Sequence, residues 1–271
     1  IRPDHFIGSI SNHVECYSLL DTGERSYRSF PKNDATAFFH SGIVDKLADL
    51  KFVTSLPLFD EQFNLIQDGY SPTSKIFKVK KDLPPAKDLH YIHKLLNEFA
   101  WHDPIADKAN FLGVMLTTLI HHQFLGLVPL VDIEGNQKGL GKTLLAILLG
   151  ILRDSSMPRS INLTSNEEEL EKQLCASFMS GSTTTNFDNV KLTKNMTVVS
   201  NPLLEKCITD KELKFRILGG NTEFKMVNRA LFVLTSNGAI LSPDLKSRRL
   251  MISLYYEGDP ENRNFNIQDV A

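Results

Sequence analysis

The stretch Glu134-Gly135-Asn136-Gln137-Lys138-Gly139-Leu140-Gly141-Lys142-Thr143 combines glycines, a lysine and a hydroxyl at the spacing that holds a polyphosphate. Glycines let the backbone curl until successive N–H groups converge on one anion, and a helix opening at this point adds the positive end of its dipole. In such a loop Lys142 neutralises the β- and γ-phosphates of ATP, and the Thr143 hydroxyl ligates Mg2+. The residues expected to touch the nucleotide are Gly135, Asn136, Gly139, Leu140, Gly141, Lys142, Thr143 and Leu144. One departure is visible. The spacing G-x-x-x-x-G-K-[ST] puts its first glycine at position 136, which is Asn, and Gly135 falls one residue early. Asn tolerates left-handed backbone better than most residues, so a mild variant of the loop is expected. The alternative is a glycine turn that caps an apolar helix.

Further along lies Thr184-Thr185-Asn186-Phe187-Asp188-Asn189. A carboxylate at the end of a strand beside the phosphate loop positions Mg2+ and its water, which makes Asp188 the second metal candidate after Thr143. A simple Asp-Asn turn is the alternative. Many ATPases place a second carboxylate next, to orient the attacking water, and here that position holds Asn189. An amide holds a water but does not take its proton, so slow hydrolysis is one expectation. Leu231-Phe232-Val233-Leu234-Thr235-Ser236-Asn237 reads as an apolar strand with a polar end. If it lies between the two strands already named, Asn237 reaches the γ-phosphate; otherwise it is a turn. Arg248 and Arg249 precede the last strand. In an ATPase ring one of them could reach the neighbouring subunit's nucleotide, but an extended segment cannot aim both the same way. A solvated basic edge is the alternative.

These residues need a frame. Apolar runs at residues 127–133, 160–164, 183–187, 229–235 and 250–255 read as strands, and residues 141–152 as a helix. Ser165 with Glu168 forms a capping box ahead of a helix to about Phe178. Strand–helix alternation of this kind predicts an α/β fold, a parallel sheet covered on both faces. Upstream, Leu89, Ile92, Leu95, Leu96 and Phe99, then Ile105, Leu112, Leu116 and Leu119, recur at helical spacing and predict two amphipathic helices. Residues 1–83 read as short strand-rich pieces, with 52–58 and 76–79 as strands and Asp68-Gly69 as a turn. The expected division is an accessory region at 1–83, a lid-like helical linker at 84–125 and the ATPase core at 126–271.

Composition removes other classes. The 271 residues are 42% apolar and 23% charged with a net charge of −2, a balance that disfavours disordered, collagenous and polybasic proteins. The longest apolar run, nine residues from Leu144 to Leu152, is far short of the roughly 20 that span a bilayer, so no membrane role is expected. Three scattered cysteines argue for a reducing, cytoplasmic setting. The start at Ile1 suggests a piece of a longer protein. His90, His93, His121 and His122 lack the ligand spacing of a metal site, and Trp101 is expected in the core. Residues 186–250 hold eleven Lys+Arg against six Asp+Glu, which concentrates positive charge in one region of a near-neutral chain.

Taken in order, Gly139 to Thr143, Phe187-Asp188-Asn189-Val190, Phe215 to Gly220, Thr235-Ser236-Asn237 and Asp244 to Arg249 resemble the AAA+ ATPases. More narrowly, they resemble the superfamily-three ring helicases and the primase–helicases of phages, plasmids and integrative elements. Leu58 to Tyr70 is similar to the segment preceding the ATPase in the mobile-element proteins, and the resemblance spans about residues 55–265. It implies a P-loop NTPase (AAA+/ASCE) core with sheet order 5-1-4-3-2, a homo-hexameric ring with ATP between subunits, and translocation on single-stranded or forked DNA. It also implies a pore hairpin at 215–227 with Gly219-Gly220-Asn221 as its turn. Lys225 would face DNA there, with Lys214 and Arg216 at its base. Lys225 as a solvated strand lysine, and Arg216 as a second trans-acting charge, are the alternatives.

The departures are Asn189, where these helicases usually carry an acid, and a chain that stops at Ala271, where a reduced lid is expected. The two upstream helices would then pack beside the core in its place. No primase motif is visible, so a primase or initiator is an expected partner, and the location is cytoplasmic, nucleoid-associated if bacterial. Two functions follow: an ATP-driven helicase or translocase in the replication of a mobile genetic element, or a nucleotide-gated DNA-loading or assembly module with slow turnover. A small-molecule kinase would not need the Thr-Ser-Asn and Ser-Arg-Arg elements.

Overall fold

Neighbouring residues of a strand point to opposite faces of the sheet, so a strand that is apolar at every position needs cover on both sides. This computed structural model describes residues 16–28, 33–34, 36–37, 50, 52–60, 62–80, 88–121, 127–164, 166–190, 198–217, 223–265 and 267. The chain divides into two units, Ile1–Phe52 with Pro72–Ile76 and Val53–Ser71 with Phe77–Ala271.

In the first unit, β1 (Cys16–Leu19) and β2 (Arg25–Arg28) form an antiparallel ribbon. The Arg25 guanidinium lies 4.6 Å over the Tyr17 ring. A three-stranded sheet, most of whose residues fall in the second unit, is ordered β3-β5-β4, from β3 (Phe52–Thr54), β4 (Gly69–Ser71) and β5 (Ile76–Lys78). It corrects two expectations. The 52–58 strand stops at Thr54, whose hydroxyl accepts from Leu56 N at 3.0 Å and turns the chain ahead of Pro57. Gly69 opens a strand where a turn was expected.

The second unit carries the five-stranded parallel sheet. Its strands are β6 (Leu130–Gly135), β7 (Arg159–Ile161), β8 (Thr184–Val190), β11 (Leu231–Ser236) and β12 (Arg249–Leu254), ordered β12-β6-β11-β8-β7. Counted within the core, that is 5-1-4-3-2, so the fold is α/β with the strand order of the AAA+/ASCE P-loop NTPases. The linker helices are α1 (His90–Leu96) and α2 (Ala106–Ile120), followed in the core by α3 (Lys142–Asp154) and α4 (Glu167–Met179). Alternation sorts the core. Val131, Ile133 and Val233 pack with Leu145 and Leu149 of α3 and with Phe111 and Val114 of α2. Leu130, Phe232 and Leu234 pack on the other face with Leu170, Leu174 and Phe178 of α4. Phe187 stacks on Phe232 with ring centroids 6.2 Å apart.

Helix α4 begins one residue later than expected. Its N-cap is Asn166, whose side chain accepts from Glu169 N at 3.2 Å, and Ser165 lies outside the described residues. Strand β8 runs to Val190, past the expected end at Phe187, so Asp188 and Asn189 belong to the strand. Helix α2 lies beside the edge strand β12. Asp107 of α2 accepts from Ser253 N at 2.8 Å, and Asn110 donates to the Met251 carbonyl at 3.1 Å. Trp101 is buried between Phe99 and Phe111, its indole N–H donating to the Leu96 carbonyl at 2.7 Å.

Two short helices, α5 (Pro202–Cys207) and α6 (Pro243–Ser247), flank the antiparallel pair β9 (Glu212–Arg216) and β10 (Glu223–Val227). Leu213 and Phe215 anchor that pair to the α4 side of the core. The expected turn at 219–221 lies outside the described residues.

Candidate functional site

The loop between β6 and α3 curls as its glycines require. Gly141 caps α3 with φ 90°, and the ring of Phe99 would lie 2.9 Å from a Cβ placed there, so a side chain is excluded by both conformation and space. Gly135 accounts for the early glycine in the motif. A Cβ at this position would sit 2.9 Å from Leu140 Cδ1 and 3.1 Å from Lys142 Nζ. Its missing side chain is the room into which Leu140 and the lysine fold.

Two strand ends and the start of α3 deliver side chains to this site. From α3, Lys142 Nζ donates to the Gln137 carbonyl at 2.8 Å and to Asn237 Oδ1 at 2.7 Å. From β8, Asp188 Oδ1 accepts from Thr143 Oγ1 at 2.9 Å and from Thr235 Oγ1 at 2.7 Å. The same Thr235 oxygen accepts from Asn189 N at 2.8 Å. Strand β11, which carries Thr235 and leads to Asn237, pairs with β6 on one side and β8 on the other. That is the arrangement under which Asn237 reaches the loop. Burial lowers the pKa of Lys142, and the charge of Asp188 opposes the shift.

The open cleft between these groups is about 270 Å³ and is lined by Lys138 to Thr143, Asp188, Asn189, Thr235 and Asn237. Gly135, Asn136 and Leu144 are not part of its wall. Leu144 packs against the α3 side of the core, and the Leu140 side chain is buried, so Leu140 offers the cleft its backbone. Two hard oxygen donors, a hydroxyl and a carboxylate, share the cleft with an ammonium group and a helix N-terminus. This donor set fits a Mg2+-bound triphosphate. Asp188 is the one carboxylate of the wall among the described residues. Asn189 has φ 53° and sits beside a register shift between β8 and β11. Asn enters that left-handed conformation more readily than a long acid does, which is a local reason for Asn at this position.

Thr235 and Gln137 are polar partners that motif reading left without a role. Thr235 had a signal, since it lies two residues before Asn237 and strand alternation puts both on one side. Helix α3 is fixed against β8 at its far end. Arg153 Nε donates to Thr183 Oγ1 at 2.9 Å, and Asp154 accepts from the N–H groups of Thr183 and Thr184 at 2.9 and 2.8 Å. This clamp holds the helix bearing Thr143 in register with the strand bearing Asp188.

The two arginines part company. Arg249 opens β12 and forms an ion pair with Asp132 of β6, which is 1% exposed. Arg248 caps α6, is exposed, and makes no side-chain hydrogen bond or ion pair among the described residues. On the hairpin, Lys214 and Lys225 face each other across the strands, and Arg216 faces Glu223. Each lysine is neutralised by a glutamate of its own strand, Glu212 at 2.9 Å and Glu223 at 3.3 Å. Among the described residues, no group of three or more His, Cys, Asp or Glu is placed to hold a metal ion, and no helix is long and apolar enough to cross a membrane.

No protein-family model matches this chain, and no curated protein matches it in sequence. Among solved structures it is similar to the apo A form of the NrS-1 C-terminal region, with 18% identity and a TM-score of 0.47 over 86% of this chain and 54% of that one. A further apo A-form structure of the NrS-1 C-terminal region gives 14% identity and a TM-score of 0.46, covering 100% of this chain and 65% of that one. A structure of JCV helicase with a thiazolopyridinyl phenoxyphenyl acetamide bound gives 17% identity and a TM-score of 0.41, covering 60% of this chain and 46% of that one. The chain therefore spans between 46% and 65% of these three chains.

Proposed function

We propose that this protein is an ATP-dependent DNA helicase or translocase that works as a hexameric ring in the replication of a mobile genetic element. The observation that carries this reading is the meeting of Lys142 with Asn237, and of Thr143 and Thr235 with one oxygen of Asp188, at the mouth of a glycine loop. Lys142 exchanges the Gln137 carbonyl and Asn237 for phosphate oxygens when ATP enters. Thr143 and Asp188 would hold Mg2+, which would supply charge neutralisation on the phosphates. Asn237, released from the lysine, orients a water at the γ-phosphate. Arg248 is the trans-acting finger, because Arg249 is engaged within its own subunit by Asp132. Lys214, Arg216 and Lys225 supply the DNA-facing charge, residues 84–125 act in place of a lid, residues 1–83 are accessory, and a primase or initiator completes the machinery.

The test is the ATPase rate with and without single-stranded DNA, alongside mass measurement with a slowly hydrolysed analogue. DNA-stimulated turnover and a ring-sized mass are expected; DNA-independent turnover by a monomer overturns the reading. One observation favours a second function, a nucleotide-gated loading or assembly module. Among the described residues the cleft wall holds a single carboxylate, and Asn189 cannot accept the water's proton. In that case the analogue still drives assembly, but turnover stays slow with DNA present.

A further inference from the structure

The phosphate loop is gripped from outside by the segment that follows β12, residues 255–263. The grip runs through Asn136, the residue at which the motif departs from glycine. Its Nδ2 donates to the Tyr256 carbonyl at 2.9 Å, and Tyr256 N donates to its Oδ1 at 3.2 Å. The pairing of β6 with β12 ends at Gly135 opposite Leu254. The Asn136 amide therefore adds one side-chain rung beyond the last backbone rung, which glycine cannot do. Gln137 makes a second link. Its Nε2 donates to the carbonyls of Tyr256 and Gly258 at 2.6 and 2.9 Å, while its backbone carbonyl accepts from Lys142 Nζ at 2.8 Å. One residue thus joins this strap to the lysine.

The strap is itself anchored. Pro260 would lie 3.1 Å from a Cβ at Gly139, so it rests on the loop. Arg263 donates to the Glu98 carbonyl and lies 5.4 Å over the Tyr256 ring and 5.1 Å over the Phe265 ring. A glycine-rich loop loses conformational freedom when it wraps an anion, and any contact that holds the curl beforehand lowers that cost. We infer that Asn136 and Gln137 are positioning residues that tie the curl of the phosphate loop to the strap at 255–263, so that nucleotide binding and strap order rise and fall together. This rests on the reading of the loop as a triphosphate site.

The test titrates Mg2+–ATP calorimetrically into the full chain and into Asn136→Gly, Gln137→Ala and Lys142→Ala. Asn136→Gly brings the sequence closer to the common motif, yet about tenfold weaker ATP binding is expected, with little change in melting temperature without nucleotide. ATP should protect the bond after Arg263 from trypsin in the parent protein and not in this variant. Gln137→Ala carries the same comparison should Asn136→Gly fail to fold. Wild-type affinity or tighter in both variants, with binding strongly weakened in Lys142→Ala, overturns the strap inference alone. Unchanged protection in a variant that binds weakly also overturns it. If the parent chain binds no ATP, the triphosphate reading fails and takes the inference with it.

Discussion

Two charged clusters flank strand β6, and they behave as opposites. At the cleft, Lys142 is half-buried and bonded to neutral oxygens of Gln137 and Asn237 that a ligand can replace. Three residues before the loop, Asp132 is 1% exposed, its partner is the guanidinium of Arg249, and its second oxygen has no hydrogen-bond partner among the described residues. Burial pushes the Asp132 carboxyl up to about 6, outweighing the opposing pull of Arg249, and Glu134 adds a little. A charge at an open cleft exchanges partners at small cost, whereas one wedged between strands depends on a single partner. Charged side chains thus have open, neutral partners in one place and a single buried counter-charge in the other.

The contrast breaks most visibly at Arg249. Arg249→Ala strands a buried carboxylate and is expected to cost about 3–5 kcal/mol in urea denaturation, whereas the exposed Arg248→Ala should stay within about 0.5 kcal/mol. Equal losses would remove the distinction between the arginines. At the other cluster, Lys142→Ala should weaken ATP binding by about 100-fold, since it removes charge-assisted bonds to phosphate. Its denaturation midpoint should hardly move. A large loss of stability would make the lysine structural.

The pH dependence separates the clusters further. With a folded-state pKa near 6 and an ordinary value of 3.8, the folded protein binds the Asp132 proton more tightly than the unfolded chain does. This group therefore favours folding below about pH 4, and the contribution falls away as pH rises through 6, by roughly 3 kcal/mol in all. Denaturation curves between pH 4 and 7 should show this fall in the parent protein and a flatter profile in Asp132→Asn. An identical slope would place the titration elsewhere. The smallest effect is expected on the hairpin, where Glu212 and Glu223 already neutralise the lysines. Lys214→Ala or Lys225→Ala should each lower the salt slope of single-stranded DNA binding by about 1, read by fluorescence anisotropy. An unchanged slope takes the hairpin out of the DNA path.

Local chemistry was readable from the chain. The glycine loop, the helix it opens and the strand–helix alternation depend on residues a few positions apart, and all were recovered with boundaries shifted by a few residues. Strand β8 was read too short because Asp188 and Asn189 look like a turn. In the sheet they continue the strand through an irregular pairing with β11. The short strand at β3 was read too long, because alternation does not reveal a hydroxyl that bends the chain at Thr54.

The sequence by itself determined a curled glycine loop opening a helix and a parallel α/β core, since both follow from spacing and periodicity. It could also name Asp188 and Asn237, because strand ends follow from where apolar runs stop. Only the tertiary structure decided which partners those groups meet. Arg249 pairs with Asp132 across 117 positions, and Asn136 with Tyr256 across 120. Contacts at such range depend on the side-by-side order of strands, which no local pattern encodes. Two adjacent arginines are equivalent on paper; one buried carboxylate makes them different.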